Sequence, residues 1–82
     1  MKPIEEDLEY MEGTWAGKVL IQHLDNSTYG TLDVAIGVKK TVVEKFEKEF
    51  GYSRNMPEYN RDYAFNLGML DALKEYKKNQ ED

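Results

Sequence analysis

Few side chains in this sequence could carry out nucleophilic or metal chemistry. The chain has one histidine, His23, and no cysteine, and one of its two serines is Ser27, four positions further on. These two residues flank one predicted turn and are too close in sequence to make a persuasive catalytic pair. Asp25 shares a predicted strand face with His23, but two ligands do not make a metal site. We therefore expect a protein that is not an enzyme, with no catalytic residue, metal or cofactor; an enzyme would have to depend on His23.

The most distinctive chemical feature is a block of acids near the amino terminus. Residues 3–12 contain five acidic residues and no basic one. Glu5, Glu9 and Glu12 follow one another at i, i+4 and i+7, so a helix would present them on one face, about 4.5 to 6 Å apart along its axis. That separation is of the order of the spacing between successive phosphates in a nucleic acid. A ladder of carboxylates at this pitch could occupy a basic groove that normally binds phosphates.

An ordinary structural role also explains part of this acidic block. Acids in the first turn of a helix are favoured by the helix macrodipole, and they keep a small protein in solution. This effect accounts well for Glu5, Glu6 and Asp7. It accounts less well for Glu9 and Glu12, because it fades after the first turn. Both interpretations stay open from the sequence.

The composition indicates one small acidic domain over residues 1–82. Sixteen acidic residues against eleven basic ones give a formal net charge of −5, and 40% of the residues are hydrophobic. No apolar run approaches the roughly 18 residues of a membrane span, no signal peptide is recognised, and the lack of cysteine suits a reducing compartment. We expect a cytoplasmic protein that binds neither membranes nor nucleic acid directly. Because so small a core is marginal, we also expect a homodimer interface.

The first predicted elements are a helix and a β-hairpin. Apolar residues recur with helical spacing from Pro3 onward, at Ile4, Leu8, Met11 and Trp15, and Gly13 is predicted to end helix 1 near residue 12. The apolar period then changes to two over residues 14–24 and again over 31–40, on either side of a cluster of turn formers. This pattern predicts two antiparallel strands.

A competing interpretation makes residues 31–50 one long helix, which leads to an all-α three-helix bundle. Many apolar residues of this segment do fall on one side of a helical wheel, but Gly37 among β-branched residues disfavours a helix. We prefer the hairpin because Thr41 and Glu44 have the spacing of a capping box, which predicts that helix 2 begins after Thr41 and ends at Phe50.

The carboxy-terminal part is predicted to be a third helix over about residues 58–78, with a frayed tail at 79–82. Its apolar stripe consists of Tyr59, Tyr63, Leu67, Leu70 and Leu73. The predicted fold is therefore α+β, with a small antiparallel hairpin sheet packed with three helices in the order α-β-β-α-α.

Several of these features together resemble a class of known proteins. They are the acidic start IEEDLEYMEG, a hairpin followed by the helical segment VVEKFEKEF, and the terminal helix that ends in LDALKEYKKNQED. In size, charge and element order the chain is similar to the small, acidic, cysteine-free proteins by which bacteriophages block host defence or DNA-binding proteins, including anti-CRISPR proteins and other DNA mimics. The resemblance implies an inhibitor.

The sequence therefore predicts a non-enzymatic protein-binding module that inhibits a nucleic-acid-binding host or defence protein. Its contact residues are predicted to be acids on helix 1, an acid on the hairpin and two loop tyrosines: Glu5, Glu9, Glu12, Asp33, Tyr29 and Tyr52. The alternative is a small intracellular module that binds a ligand or nucleotide through Lys39, Lys40, Tyr59 and Tyr63.

Overall fold

Three α-helices make up most of the chain in the computed structural model, which describes residues 3–24, 31–54 and 59–81. A short 3-10 helix at Ile4–Glu6 precedes α1 (Leu8–Leu24), α2 (Thr31–Phe50) and α3 (Arg61–Glu81). Side chains cap two of the helices, because Asp7 accepts a hydrogen bond from the amide of Glu9 and Asn60 accepts one from the amide of Tyr63. Each cap satisfies an amide that has no carbonyl partner within its helix.

The predicted α+β sandwich is wrong, since the described residues contain no strand. The segment predicted as the first strand, 14–24, is the second half of α1, which continues through Gly13 to Leu24. The segment predicted as the second strand, 31–40, is the first half of α2. The alternation of apolar and polar residues misled the prediction because both helices carry apolar residues on opposite sides, which blurs the helical period.

The capping box predicted at Thr41 is also wrong. Thr41 lies in the middle of α2, and its hydroxyl donates to the carbonyl oxygen of Gly37 at 2.9 Å, four residues earlier in the same helix. The competing interpretation, one helix over 31–50, agrees with the structure. At the end of this helix Gly51 has a φ of 73° and donates its amide to the carbonyl of Glu47, as expected of a residue that ends a helix.

The third helix begins later and ends later than the predicted span of 58–78. Asn60 caps it, and the tail that we expected to fray is helical as far as Glu81. The predicted stripe forms the centre of the core: Tyr63, Leu67, Leu70 and Leu73 are buried, and Tyr59 is half-buried against them. α3 packs against both other helices, whereas α1 and α2 barely touch each other.

Glycines bring α1 and α3 unusually close together. A Cβ added to Gly13 would overlap the carbonyl oxygen of Phe65, and one added to Gly68 would overlap that of Tyr10. A Cβ at Gly17 would lie 2.8 Å from the Cβ of Ala72. No side chain larger than hydrogen fits at these three positions, so the two backbones are in direct contact. The prediction that Gly13 ends helix 1 is therefore wrong: Gly13 lies within α1 and, with Gly17, forms the surface that packs against α3.

This close crossing predicts that alanine substitution has opposite effects on stability at a glycine in the helix crossing and at an exposed helical glycine. Gly13→Ala should lower the free energy of unfolding by about 1–3 kcal/mol, because the added methyl group overlaps backbone atoms. Gly37→Ala should raise it by about 0.5–1 kcal/mol, because Gly37 is exposed, nothing lies within 4 Å of its Cβ position, and alanine favours the helix. Urea unfolding followed by circular dichroism measures both changes. A Gly13→Ala variant as stable as the wild type would contradict the close crossing.

Candidate functional site

The outward face of α1 carries three large apolar side chains in solvent. Leu8, Met11 and Trp15 are 63%, 48% and 68% exposed and lie at i, i+3 and i+7, on one side of the helix. The opposite side of α1 holds the buried residues Tyr10, Gly13 and Gly17, which face α3. We call Leu8, Met11 and Trp15 the α1 stripe. The sequence analysis placed these residues on one stripe with Ile4, but only Ile4 is buried.

The exposure of the α1 stripe follows from how α1 packs. The glycine surface of α1 fits so closely against α3 that large side chains find room only on the other side. Burying a side chain of this size contributes about 1.5–3 kcal/mol of stabilisation. The fold of the single chain does not gain this contribution in full at three neighbouring positions, because their side chains stay exposed. Single exposed apolar residues are common, but a contiguous set on one helix face is typical of an interaction surface.

The predicted acidic ladder is partly neutralised within the chain. Glu5 forms an ion pair with Arg54 at 3.2 Å, and Glu9 forms one with Arg61 at 2.5 Å. The hydrogen bonds that Arg61 donates to the Glu9 carboxylate raise the pKa of the Arg61 guanidinium. Glu6 and Glu12 are exposed and form no ion pair with any described residue. The free acidic charge beside the α1 stripe is therefore smaller than the sequence suggests, and Glu12 carries most of it on α1.

A polar network ties the segment after α2 to the rest of the fold. Arg54 donates to Asp71 at 2.6 Å and to Glu5, while the hydroxyl of Tyr10 donates to the other oxygen of Asp71 at 2.5 Å. Burial and this hydrogen bond raise the pKa of Tyr10 to about 12, and the bond to Asp71 raises the pKa of Arg54. Every carboxylate oxygen of Asp71 is used, so the network is structural.

This network lies in an open groove of about 600 Å³ that has no excess of either charge. Its lining contains three acidic and three basic side chains beside one tyrosine: Glu5, Tyr10, Arg54, Asp71, Lys74, Glu75 and Lys78. A phosphate or nucleotide site needs a surplus of donors or positive charge. This groove is thus a poor anion site.

The four residues of the predicted ligand site are engaged separately. Tyr63 is fully buried and donates its hydroxyl to Glu47 at 2.9 Å, and Tyr59 donates to Asp7 at 2.7 Å. The bond to Asp7 raises the pKa of Tyr59 to about 12, and burial raises that of Tyr63. Lys39 donates to Asn66 at 3.1 Å, between α2 and α3, and Lys40 is exposed. These four side chains do not line a common cavity among those found in the described residues.

The remaining predicted contact residues that the structure describes belong to other elements than the α1 stripe. Asp33 is at the start of α2, where it pairs with Lys77 of α3 at 2.6 Å. Tyr52 is half-buried, with its ring centroid 6.3 Å from that of Phe46. His23 is exposed in the last turn of α1. Tyr29, like Asp25 and Ser27, lies outside the described residues.

Neither a metal centre nor a membrane span is found among the described residues. They contain no cluster of three or more histidines or acids that could hold a metal ion, and none of the described helices is both long and apolar enough for a membrane span. Comparisons of the chain with protein-family models, with curated proteins and with solved structures found no match.

Three features of the candidate site are not evident from the sequence. The outward direction of the α1 stripe could not be seen without knowing that glycines face α3, although the Gly13-x-x-x-Gly17 spacing was a signal for it. Arg54 and Arg61, which neutralise two predicted acids, are 49 and 52 residues away from their partners, and no local pattern links them.

The bonded tyrosines predict a loss of stability in alkali. The folded-state pKa of Tyr10 and Tyr59 is about 12, whereas that of a free tyrosine is about 10, so the unfolded chain loses these protons first and is favoured as the pH rises. The free energy of unfolding should stay level below about pH 10 and decrease from there towards pH 12. Urea unfolding at pH values across this range measures it, with tyrosinate absorbance as the second readout.

A matched variant controls for other groups that titrate in alkali. In Tyr10→Phe/Tyr59→Phe the decrease should be shallower, because the two shifted hydroxyls are gone. If the free energy of unfolding decreases equally in the variant and the wild type, the hydrogen bonds of Tyr10 and Tyr59 do not cause the loss of stability in alkali.

Proposed function

We propose that this chain is a non-enzymatic protein-binding module that acts through the outward face of α1. The observation that carries the proposal is the α1 stripe, three large apolar side chains exposed on one helix face. Leucine, methionine and tryptophan at i, i+3 and i+7 have the spacing by which amphipathic helices fill an apolar groove in a partner. Trp15 is the most exposed of the three and the natural anchor, because tryptophan is enriched at energetic hot spots.

The rigidity of α1 favours binding through this face. A flexible peptide that binds as a helix must first be ordered, which reduces its affinity. Here α1 is held along its opposite side by the glycine contacts with α3, so the spacing of the three anchors is set before binding. Little conformational entropy is lost beyond that of the three side chains.

The acids next to the α1 stripe indicate the chemistry of the partner. Glu6 and Glu12 are exposed without a described ion pair, and half of the side-chain surface of Glu5 remains exposed beside Arg54. An apolar groove with lysines and arginines around it would complement this surface and would attract it over a distance. A cluster of lysines and arginines along a groove is typical of nucleic-acid-binding proteins. We therefore propose that the partner is a host or defence protein of this kind and that binding inhibits it.

The proposal changes the predicted contact set. Affinity comes mainly from the α1 stripe, and Glu12 with Glu6 supplies the remaining charge, while Glu9 is held by Arg61. The small-ligand alternative has no specific observation in its favour, because Tyr63 is buried and Lys39 is bonded to Asn66.

Affinity capture from a bacterial lysate, analysed by mass spectrometry, tests the proposal with three baits. The wild type should retain a nucleic-acid-binding protein, and Trp15→Ser should weaken binding by at least about tenfold, which corresponds to the loss of one hot-spot residue. Val34→Ser is the matched control, since Val34 is about as exposed as Trp15 but belongs to α2. Added DNA or RNA should displace the bait if both occupy one groove.

The contribution of the acidic residues to binding is measured in the same capture experiment. Glu6→Lys/Glu12→Lys should weaken capture, and raising the salt concentration should weaken capture of the wild type more than that of this variant. Because all of these residues are exposed, the variants should unfold within about 0.5 kcal/mol of the wild type. Capture that Trp15→Ser leaves unchanged, or a partner that nucleic acid does not displace, would overturn the proposal.

A further inference from the structure

One row of residues along α2 is apolar throughout. Every fourth residue from Val34 to Phe50 is apolar: Val34, Val38, Val42, Phe46 and Phe50. Val34, Val38 and Phe50 are exposed, and the two residues between them are half-buried. At a rise of about 1.5 Å per residue this row is about 24 Å long. It belongs to a different helix from the α1 stripe.

A groove runs beside this row. The parallel row of residues four apart, Gly37, Thr41, Lys45 and Glu49, forms its other wall. Two open depressions lie along the groove, of about 530 Å³ towards the start of α2 and about 380 Å³ towards its end, and Val42 lines both. Rows of this kind are the ridges that pack into the grooves of a second helix, in the commonest class of helix crossing.

The charges along the carboxy-terminal half of the groove would complement those of the same half on a second copy of the chain. Lys45 and Glu49 lie two residues before and two residues after Glu47, on the same wall. If two α2 helices pack antiparallel about a two-fold axis at the level of Glu47, Lys45 of each copy stands at the height of Glu49 of the other. Neither residue forms an ion pair with a described residue of its own chain. Two equivalent ion pairs would result.

The apolar part of this surface is held in place. The Tyr52 ring lies behind both phenylalanines, with centroid distances of 6.3 Å to Phe46 and 5.4 Å to Phe50. Phe46 also meets the buried ring of Tyr63 edge-on at 6.1 Å. Because the rings are already ordered, little side-chain entropy is lost when a second apolar surface covers them.

We propose that two copies of this chain form an antiparallel, two-fold symmetric dimer through the carboxy-terminal half of α2. Val42, Phe46 and Phe50 of each copy cover those of the other, and Lys45 of each copy pairs with Glu49 of the other. The α1 stripe takes no part, so a dimer presents it twice. This proposal concerns α2 alone and does not depend on the proposed function of α1.

A charge-swap cycle tests the dimer. Sedimentation equilibrium of the wild type, from micromolar to millimolar concentration, should fit a monomer–dimer equilibrium. Lys45→Glu and Glu49→Lys should each raise the dissociation constant by about tenfold or more, because each places like charges opposite one another. Lys45→Glu/Glu49→Lys reverses both partners at once and should restore the dissociation constant of the wild type.

Two control variants separate this interface from other surfaces. Lys40→Glu makes the same change of charge at an exposed position of α2 outside the groove and should leave the dissociation constant unchanged. Trp15→Ser should also leave it unchanged, and it would weaken a dimer formed through the α1 stripe. Phe50→Ser should weaken the dimer independently of salt.

The outcomes that overturn the dimer are specific. A wild type that is monomeric up to millimolar concentration contradicts it, and so does a dimer that the double charge swap fails to restore. A dimer sensitive to Trp15→Ser and not to the α2 variants would contradict both this proposal and the one made for α1. A monomer that still captures a partner through Trp15 would contradict only the dimer.

Discussion

The fold depends on the direct contact between the backbones of α1 and α3. Gly13 and Gly17 on one helix and Gly68 on the other leave no space for a side chain where the helices cross. Gly13 and Gly68 each face a carbonyl oxygen of the opposite helix, an arrangement in which Cα–H groups make weak favourable contacts. Mid-helix glycine costs about 1 kcal/mol relative to alanine, so three such positions are tolerated only because close packing compensates for them.

This contact determines where the large apolar residues go. A helix pair this close has a thin interface, so most of the buried volume comes from α3 and from the side chains that surround it, such as Tyr63 and Leu67. The α1 stripe is left on the solvent side. α2 also exposes large apolar side chains, at Val34, Val38 and Phe50. A small core with apolar residues on two outer faces is what a module that works by binding other surfaces would need.

Polar side chains then connect the parts that the core does not hold. Three buried or half-buried tyrosines donate to carboxylates from other elements, and Arg54 bridges Glu5 and Asp71. These bonds fasten the 3-10 helix and the segment after α2 to the helices. Together with the ion pair between Glu9 and Arg61, the Arg54 bridge neutralises part of the acidic charge of the amino-terminal block. The apolar side chains of the α1 stripe are therefore the main contacts of the proposed binding face.

The sequence by itself determined the length and acidity of the chain, the core stripe of α3, the end of α2 at Gly51 and the helical spacing of Leu8 and Met11. The predicted end of helix 1 at Gly13 left Trp15 outside that helix. Only the tertiary structure decided that residues 14–24 and 31–40 are helical, that the face of α1 points to solvent and that Glu9 pairs with Arg61. Local patterns record which residues share a face, since that follows from the period of the backbone. They do not record which face another helix covers. A glycine that lets two helices touch looks the same in the sequence as a glycine that ends a helix. The two are distinguished only by the residue that packs beside the glycine, which here is 50 or more positions away in the chain.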